Sequence, residues 1–253
     1  MKIFCKYSDI LDKFLNEVVQ YTLNLYSEEL DISEVEEIEL MSINEFNYDT
    51  DGRTYDEGRK ILVTSRLYDK LPHLDISRLE DNEEFKMIVN TMFHEMGHAT
   101  DWKKFPHLYY IATESDNKKD IVVSLFWLEY LAEKRSNVKC FSGHNEFCID
   151  FVSREWKAYR ANLESSSEEN YFYLNKLLAY FMGRTTEQKI RNHYLNMVNN
   201  SLLKEYILEI GKEISYLEEE YPFDDVSKLY GLYDIMNKYY KKFQIRYKPR
   251  LLF

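Results

Sequence analysis

Helical and strand-like periodicities alternate through the first half of the chain and give way to helix alone in the second. Ser8 can cap a helix reaching about Tyr26, with Ile10, Leu11, Phe14, Leu15, Val18 and Val19 on one face. Two strand-like runs follow, IELMSI (38–43) and RKILVTS (59–65), with the turn-rich YDTDGRTYDEG between them. From Glu84 to Trp102, Phe85, Ile88, Val89, Met92, Met96 and Ala99 recur at helical spacing, and Asp81 with Glu84 has the spacing of a capping box. Residues 120–138 read as another helix, apolar nearly all round, as a buried helix is. Beyond Asn145 the runs 146–164, 168–182, 186–199, 202–219 and 224–243 are all helical, broken at Ser165–Ser167, Gly183 and YPFDD. The expected fold is therefore α+β and predominantly α. A core over 1–140 would carry a small sheet, and a helical extension over 141–253 would pack on it.

The polar positions of the Glu84–Trp102 run carry the chemistry. On a helical wheel His94 and His98 lie opposite the apolar face, with Asp101 beside them. Two histidines at i and i+4 project from one side of a helix, so both imidazoles can reach one metal ion. Glu95 beside the first of them points toward the open coordination position, where it can take a proton from bound water. The pattern His94-Glu95-Met96-Gly97-His98 is HExxH, which reads as a zinc metallopeptidase. The competing reading is two solvated histidines on a surface helix, and the register of Glu95 weighs against it.

A catalytic zinc needs a third protein ligand. Asp101 is poorly placed for that, roughly 10 Å beyond His94 along the axis, and suits a hydrogen bond to a ligand imidazole better. In the 120–138 helix, Glu129 falls on the stripe of Val122, Leu125, Phe126 and Ala132, with Glu133 one turn later. A bare carboxylate there would cost several kcal/mol, on the order of the penalties for buried charge. Either a metal ion or a buried Arg or Lys removes that penalty. A donor to the oxyanion should come from the helices after Glu129, with Tyr159, Tyr173, Tyr180 and His193 as candidates.

HEMGH followed about thirty residues later by EYLAE resembles the gluzincin arrangement, and in particular the ImmA/IrrE-type and HtpX-type metallopeptidases. The chain is closer to the ImmA/IrrE type, because HtpX-type enzymes are flanked by membrane helices. The resemblance covers roughly residues 35–140. It implies a small sheet packed on a zinc-binding helix pair, with His94, His98 and Glu129 as zinc ligands and Glu95 as the general base. Glu133 stands where that motif usually has Asp, in a position that supports a ligand histidine. The metzincin continuation is absent, since Asp101 and Lys104 occupy its Gly and His places. A strand edge beside the zinc helix holds extended substrate in such folds, and the 59–65 run is the candidate for that edge. An ordinary hairpin strand is the plain alternative.

Composition narrows the partners. The net charge of −11, with no Lys/Arg-dense stripe, argues against nucleic acid and weakly favours basic or neutral peptide segments. Three cysteines without a pairing pattern fit a reducing compartment, and the start MKIFCKYSDI has neither the apolar core nor the cleavage site of a secretory signal. No stretch approaches a membrane span. The expectation is a soluble cytoplasmic zinc endopeptidase with a narrow protein or peptide target; for ImmA/IrrE-type proteins that target is a repressor. A peptidase acting on small peptides released by lysis is a further reading. The alternative from a different class is a non-catalytic, zinc-stabilised interaction module, against which the intact Glu95 speaks.

Other signals are weaker. The acidic loop lacks the ligand alternation and closing Glu of a calcium-binding loop and reads as a solvated turn. His73 beside Pro72 reads as a loop residue. Cys140, His144 and Cys148 are spaced by four, but Gly143 and Asn145 oppose a continuous helix and a fourth ligand is not evident. The stretch KKFPHLYYIATESDNKK reads as a connection able to close over the zinc.

Overall fold

A computed structural model describes residues 1–5, 9–26, 28, 30–42, 51–65, 83–137, 144–155, 168–223 and 225–247. Helix makes up 73% of the structure beside one small sheet, so the fold is α+β with α dominant. Two compact units divide it: Met1–Pro106 with Arg135–Gly143, and His107–Lys134 with His144–Phe253. The division is not a single cut near residue 140, because one continuous helix, Lys118–Asn137, contributes to both units.

The first unit is built on a four-stranded mixed sheet of β1 (Lys2–Cys5), β2 (Glu37–Ser42), β3 (Gly52–Tyr55) and β4 (Lys60–Ser65), in the order β1-β2-β4-β3. Strand β1 runs parallel to β2, with Ile3 opposite Ile38, and β2 runs parallel to β4, with Leu40 opposite Val63. Parallel neighbours need a crossover, and α1 (Asp9–Tyr26) supplies the one between β1 and β2. Strand β3 returns antiparallel on β4, with Thr54 opposite Ile61. The run 59–65 is therefore internal and paired on both sides, and cannot be the substrate-binding edge expected of it. Ile61, Leu62, Val63 and Thr64 are all buried, as a strand covered on both faces requires. Strand β3, formed inside the stretch that reads as a turn, is an outer strand of the sheet, as is β1.

The turn from β3 to β4 passes through three consecutive left-handed residues, Asp56 (φ 53°), Glu57 (φ 57°) and Gly58 (φ 81°). Arg59 donates its backbone N–H back to the Asp56 carbonyl at 3.0 Å, and the Asp56 carboxylate pairs with Arg59 at 2.7 Å and Lys60 at 3.3 Å. Gly58 is needed twice over. Its φ favours glycine, and a Cβ there would lie 2.7 Å from Cβ of Trp102.

Helix α2 (Glu83–Lys104) buries Ile88, Val89, Met92, Met96 and Ala99 in one cluster with Phe14, Leu15, Val18 and Val19 of α1 and Ile38, Leu40, Ile61 and Val63 of the sheet. The apolar stripes of the two helices thus meet the inward face of the strands, and the polar side of α2 is left to other groups. Thr100 helps hold the approach to β2: its hydroxyl donates to the Met96 carbonyl at 2.8 Å and accepts from the Asp31 N–H at 3.0 Å. Lys103, in the last turn where a cation suits the helix dipole, pairs with Asp31 at 2.8 Å. That contact and the Ser33 hydroxyl hold the Asp31 carboxyl below its ordinary value.

Pro106 opens α3 (Pro106–Glu114), its missing N–H costing nothing at a first helical position. The stretch that reads as a closing connection is thus largely helix. The second unit continues with α4 (Lys118–Asn137, whose last turn belongs to the first unit) and α5 (His144–Asp150), which passes into a π-turn over Phe151–Glu155. It then carries α6 (Glu168–Arg184), α7 (Gln188–Met197), α8 (Ser201–Glu220), a 3-10 turn at Val226–Leu229 and α9 (Tyr230–Tyr247). Asn200 caps α8 by accepting from the N–H groups of Leu202 and Leu203 at 3.0 and 3.2 Å.

Aromatic side chains fill this unit. Phe151 stacks on Phe181 with centroids 4.9 Å apart, Tyr206 lies 4.9 Å from Tyr239, and the Tyr206 hydroxyl donates to Asn175 at 2.7 Å. Gly183 sits in the last turn of α6, which ends at Arg184, so the expected break falls one residue away. A Cβ there would sit 2.7 Å from Cβ of Glu133 and 2.9 Å from the Lys134 nitrogen, so the glycine lets α6 and α4 touch backbone to backbone. Among the described residues no helix is long and apolar enough to cross a membrane.

Candidate metal centre

Helix α2 presents its two histidines one turn apart, and their rings meet edge to face, with centroids 4.6 Å apart and planes at 82°. The two Nε2 atoms approach to 3.0 Å. Two nitrogens bound tetrahedrally to one zinc ion, each at about 2.05 Å, stand about 3.3 Å apart. The imidazoles are thus held within a few tenths of an ångström of the spacing that a shared ion requires.

Glu95, between them in the chain, meets strand β3. It is 6% exposed, and the Thr54 hydroxyl on β3 lies 2.7 Å from its Oε2 and 2.8 Å from its backbone carbonyl. Asp101 is fully buried and takes a two-pronged contact from Arg135, at 3.1 Å from Nη1 and 2.6 Å from Nη2. The carboxylate expected beside a ligand imidazole therefore ties α2 to the last turn of α4.

Glu129 lies on α4 six residues before Arg135, about 9 Å along the axis. His94, His98 and Glu129 each offer one ligand atom within 4.8 Å of the others, a group that could hold a metal ion. Two imidazoles and a carboxylate form a donor set suited to zinc. Glu129 Oε1 also pairs with Lys176 of α6 at 3.0 Å. That lysine is about half exposed, unlike the buried cation that the alternative reading of Glu129 required.

Glu133, one turn beyond Glu129, is buried and bonds the Arg184 side chain at the end of α6. Burial works against the charge on Arg184, yet the adjacent Glu133 carboxylate lifts its pKa above the ordinary value. The ion pair sits beside Cys148, whose thiol burial pushes up to about 12, with Arg184 opposing and Glu133 adding to the shift.

Of the oxyanion candidates, Tyr159 lies outside the described residues, as does the side chain of Tyr173. Tyr180 is half-buried on α6, with its ring 5.6 Å from the Lys176 ammonium. His193 is exposed on α7, with its ring against Tyr194. Tyr180 alone of these two neighbours a group that reaches Glu129. Cys140, His73, Asp81 and the His144 side chain also lie outside the described residues, so the expected capping box and the Cys140–His144–Cys148 spacing do too.

Compared with family models, curated proteins and solved structures, the chain has no match in any of the three.

Several groups around the candidate centre are not visible in HEMGH or EYLAE. Thr54 and Gly52 share one face of a strand only four residues long, set in a loop-like stretch. Their i, i+2 spacing was the available signal. Arg135 carries no such local signal, since it lies 34 residues from Asp101. A cation beside Glu129 is among the expectations, but nothing local singles out Lys176, or Arg184 for Glu133.

Proposed function

We propose that this chain is a zinc-dependent peptidase of gluzincin-like arrangement, with His94, His98 and Glu129 holding the ion and Glu95 acting as general base. One observation carries the reading: two imidazoles and a carboxylate lie within reach of one ion, and the carboxylate of the adjacent Glu95 is bonded to the Thr54 hydroxyl. A structural zinc site is closed by four protein ligands, whereas three leave a position open for reactants.

A zinc ion held there would supply Lewis acidity, polarising the scissile carbonyl and easing loss of a proton from water. Glu95 takes that proton and delivers it to the leaving amine, with its carboxylate oriented by the Thr54 hydroxyl. Asp101 and Arg135 hold the last turn of α4 against α2. Glu133 is neutralised by Arg184 one turn beyond Glu129, which leaves the latter as the ligand carboxylate of that helix. Tyr180 is the described candidate for a donor to the developing oxyanion. An extended protein or peptide segment is the substrate class, and a repressor would be one such target.

Glu95→Gln tests the reading. The variant removes only the proton acceptor, so it should keep its zinc and its fold while cleavage of unfolded casein falls at least about a hundredfold. Cleavage at the wild-type rate with full zinc content would exclude the mechanism. Zinc binding without cleavage by either protein would favour the interaction module.

A further inference from the structure

Strand β3 packs on the side chain of Glu95 through two of its four residues. Successive side chains of a strand alternate in direction, so Gly52 and Thr54 share one face. Thr54 places its hydroxyl 2.7 Å from Glu95 Oε2. Gly52 offers bare backbone, and a Cβ built there would lie 2.7 Å from Glu95 Oε1 and 2.8 Å from its Cγ and from Cγ2 of Thr91. One oxygen of the carboxylate is therefore bonded, and the other lies over a position with no side chain.

The strand itself is fixed. It pairs with β4 along its whole length, from Gly52 opposite Val63 to Tyr55 opposite Lys60, and Gly58 seats the following turn on Trp102 of α2. The face presented to Glu95 is thus anchored on both the sheet and the helix that carries the glutamate. A glutamate has three rotatable side-chain bonds, and on a free helix surface it would sample several rotamers.

We propose that β3 is the seat of the general base, with Thr54 and Gly52 as positioning residues that fix the carboxylate of Glu95, the residue next to the ligand His94 in the chain. This rests on the peptidase reading above. Thr54 donates to one carboxylate oxygen and leaves the other free for the proton it must accept. Gly52 provides the space in which that carboxylate lies. Neither residue touches the reacting atoms, and their effect passes entirely through Glu95.

The test uses the full chain with Thr54→Val, Thr54→Ser and Gly52→Ala. Valine keeps the shape of threonine and loses the hydroxyl, serine keeps the hydroxyl, and alanine puts a methyl group where the carboxylate lies. In zinc-loaded protein acting on unfolded casein, Thr54→Val should lower kcat about tenfold, the weight of one hydrogen bond to a charged group. KM and zinc content should stay unchanged, and Thr54→Ser should remain within about twofold of the wild type, since it restores the same kind of bond. Gly52→Ala should lower kcat at least as much as valine does, through crowding of the same carboxylate. A separate readout needs neither zinc nor turnover. In protein labelled at the glutamate side-chain carboxyl carbons, the resonance absent from Glu95→Gln should move in Thr54→Val and return in Thr54→Ser.

Thr54→Val at the wild-type kcat, or serine failing where valine fails, would overturn the positioning role while the peptidase reading stood. Unfolded casein and a mixed peptide library both left uncut by zinc-loaded wild-type protein would overturn the peptidase reading. The role in catalysis would go with it, and any resonance shift would then report a purely structural contact. If Thr54→Val does not fold, by loss of its helical circular dichroism, Gly52→Ala and Thr54→Ser decide the matter on the same measurements.

Discussion

Arg135→Met should destabilise the first unit by about 3–5 kcal/mol, the cost of leaving one partner of a buried ion pair without the other. Asp101 has no exposure to solvent, and both its oxygens are bonded by the Arg135 guanidinium, at 3.1 and 2.6 Å. Methionine keeps most of the apolar stem of arginine and removes the charge, so packing loss adds little. The buried carboxylate then has neither cation nor water. Against a total stability of about 5–15 kcal/mol for a typical domain, the loss is a large fraction. With a urea slope of roughly 1–3 kcal/mol per molar, the unfolding midpoint should fall by about 1 M or more.

The double variant Asp101→Leu with Arg135→Met should regain most of that loss, because an apolar pair of similar volume removes the stranded charge. The cycle formed by the two single variants and the double isolates the pair from other contacts of Arg135. A loss below about 1 kcal/mol in Arg135→Met, the scale of an exposed pair, would refute the argument that Asp101 is held by Arg135 away from water.

Two other outcomes follow from the same geometry. Replacing His94, His98 or Glu129 by Ala should each abolish the one zinc bound per chain, measured by elemental analysis after dialysis; full zinc in any of them would remove that residue from the ligand set. Cys148 is 1% exposed and its thiol pKa is pushed up to about 12, so at pH 8 it should resist a thiol reagent in the folded protein and react on unfolding. Rapid labelling of Cys148 in the native protein would contradict its burial.

The sequence carries the helices and the two histidines plainly because each is a local signal. The i, i+4 spacing of His94 and His98 and the buried stripe from Ile88 to Ala99 depend only on helical geometry. The role of each strand does not. That β4 is internal and β3 is an outer strand is set by which strands pair, a long-range choice that no window around residues 52–65 contains. Thr54 illustrates the limit: Thr54 and Glu95 are 41 residues apart, and only the pairing of β3 with β4 brings them together. Gly183 shows both sides of this: read locally it marks the end of its helix, which closes at Arg184, but the close approach of Glu133 to it is a long-range contact. Asp101 was legible as a polar group beside the histidines, whereas its partner lies 34 residues away on α4.

The Lys176–Glu129 pair bears directly on the metal reading, because a carboxylate already paired with a cation needs no ion for its charge. The magnitudes decide between the two. Lys176 is about half exposed and meets Glu129 Oε1 at 3.0 Å, and pairs with a partner in solvent contribute about 0–1 kcal/mol. Zinc held by a folded site contributes on the order of 10 kcal/mol or more. Lysine therefore yields the carboxylate to the ion, and its long stem lets the ammonium swing to water at little cost. Lys176→Met should accordingly change zinc affinity by less than about fivefold, given that the pair it removes is worth at most about 1 kcal/mol. Competition with a chromophoric chelator measures this without any substrate. A hundredfold gain in affinity would mean that the ion pair is strong enough to compete with zinc. A hundredfold loss would mean that Lys176 orients Glu129 toward the ion, and in either case the weak-pair argument would be wrong.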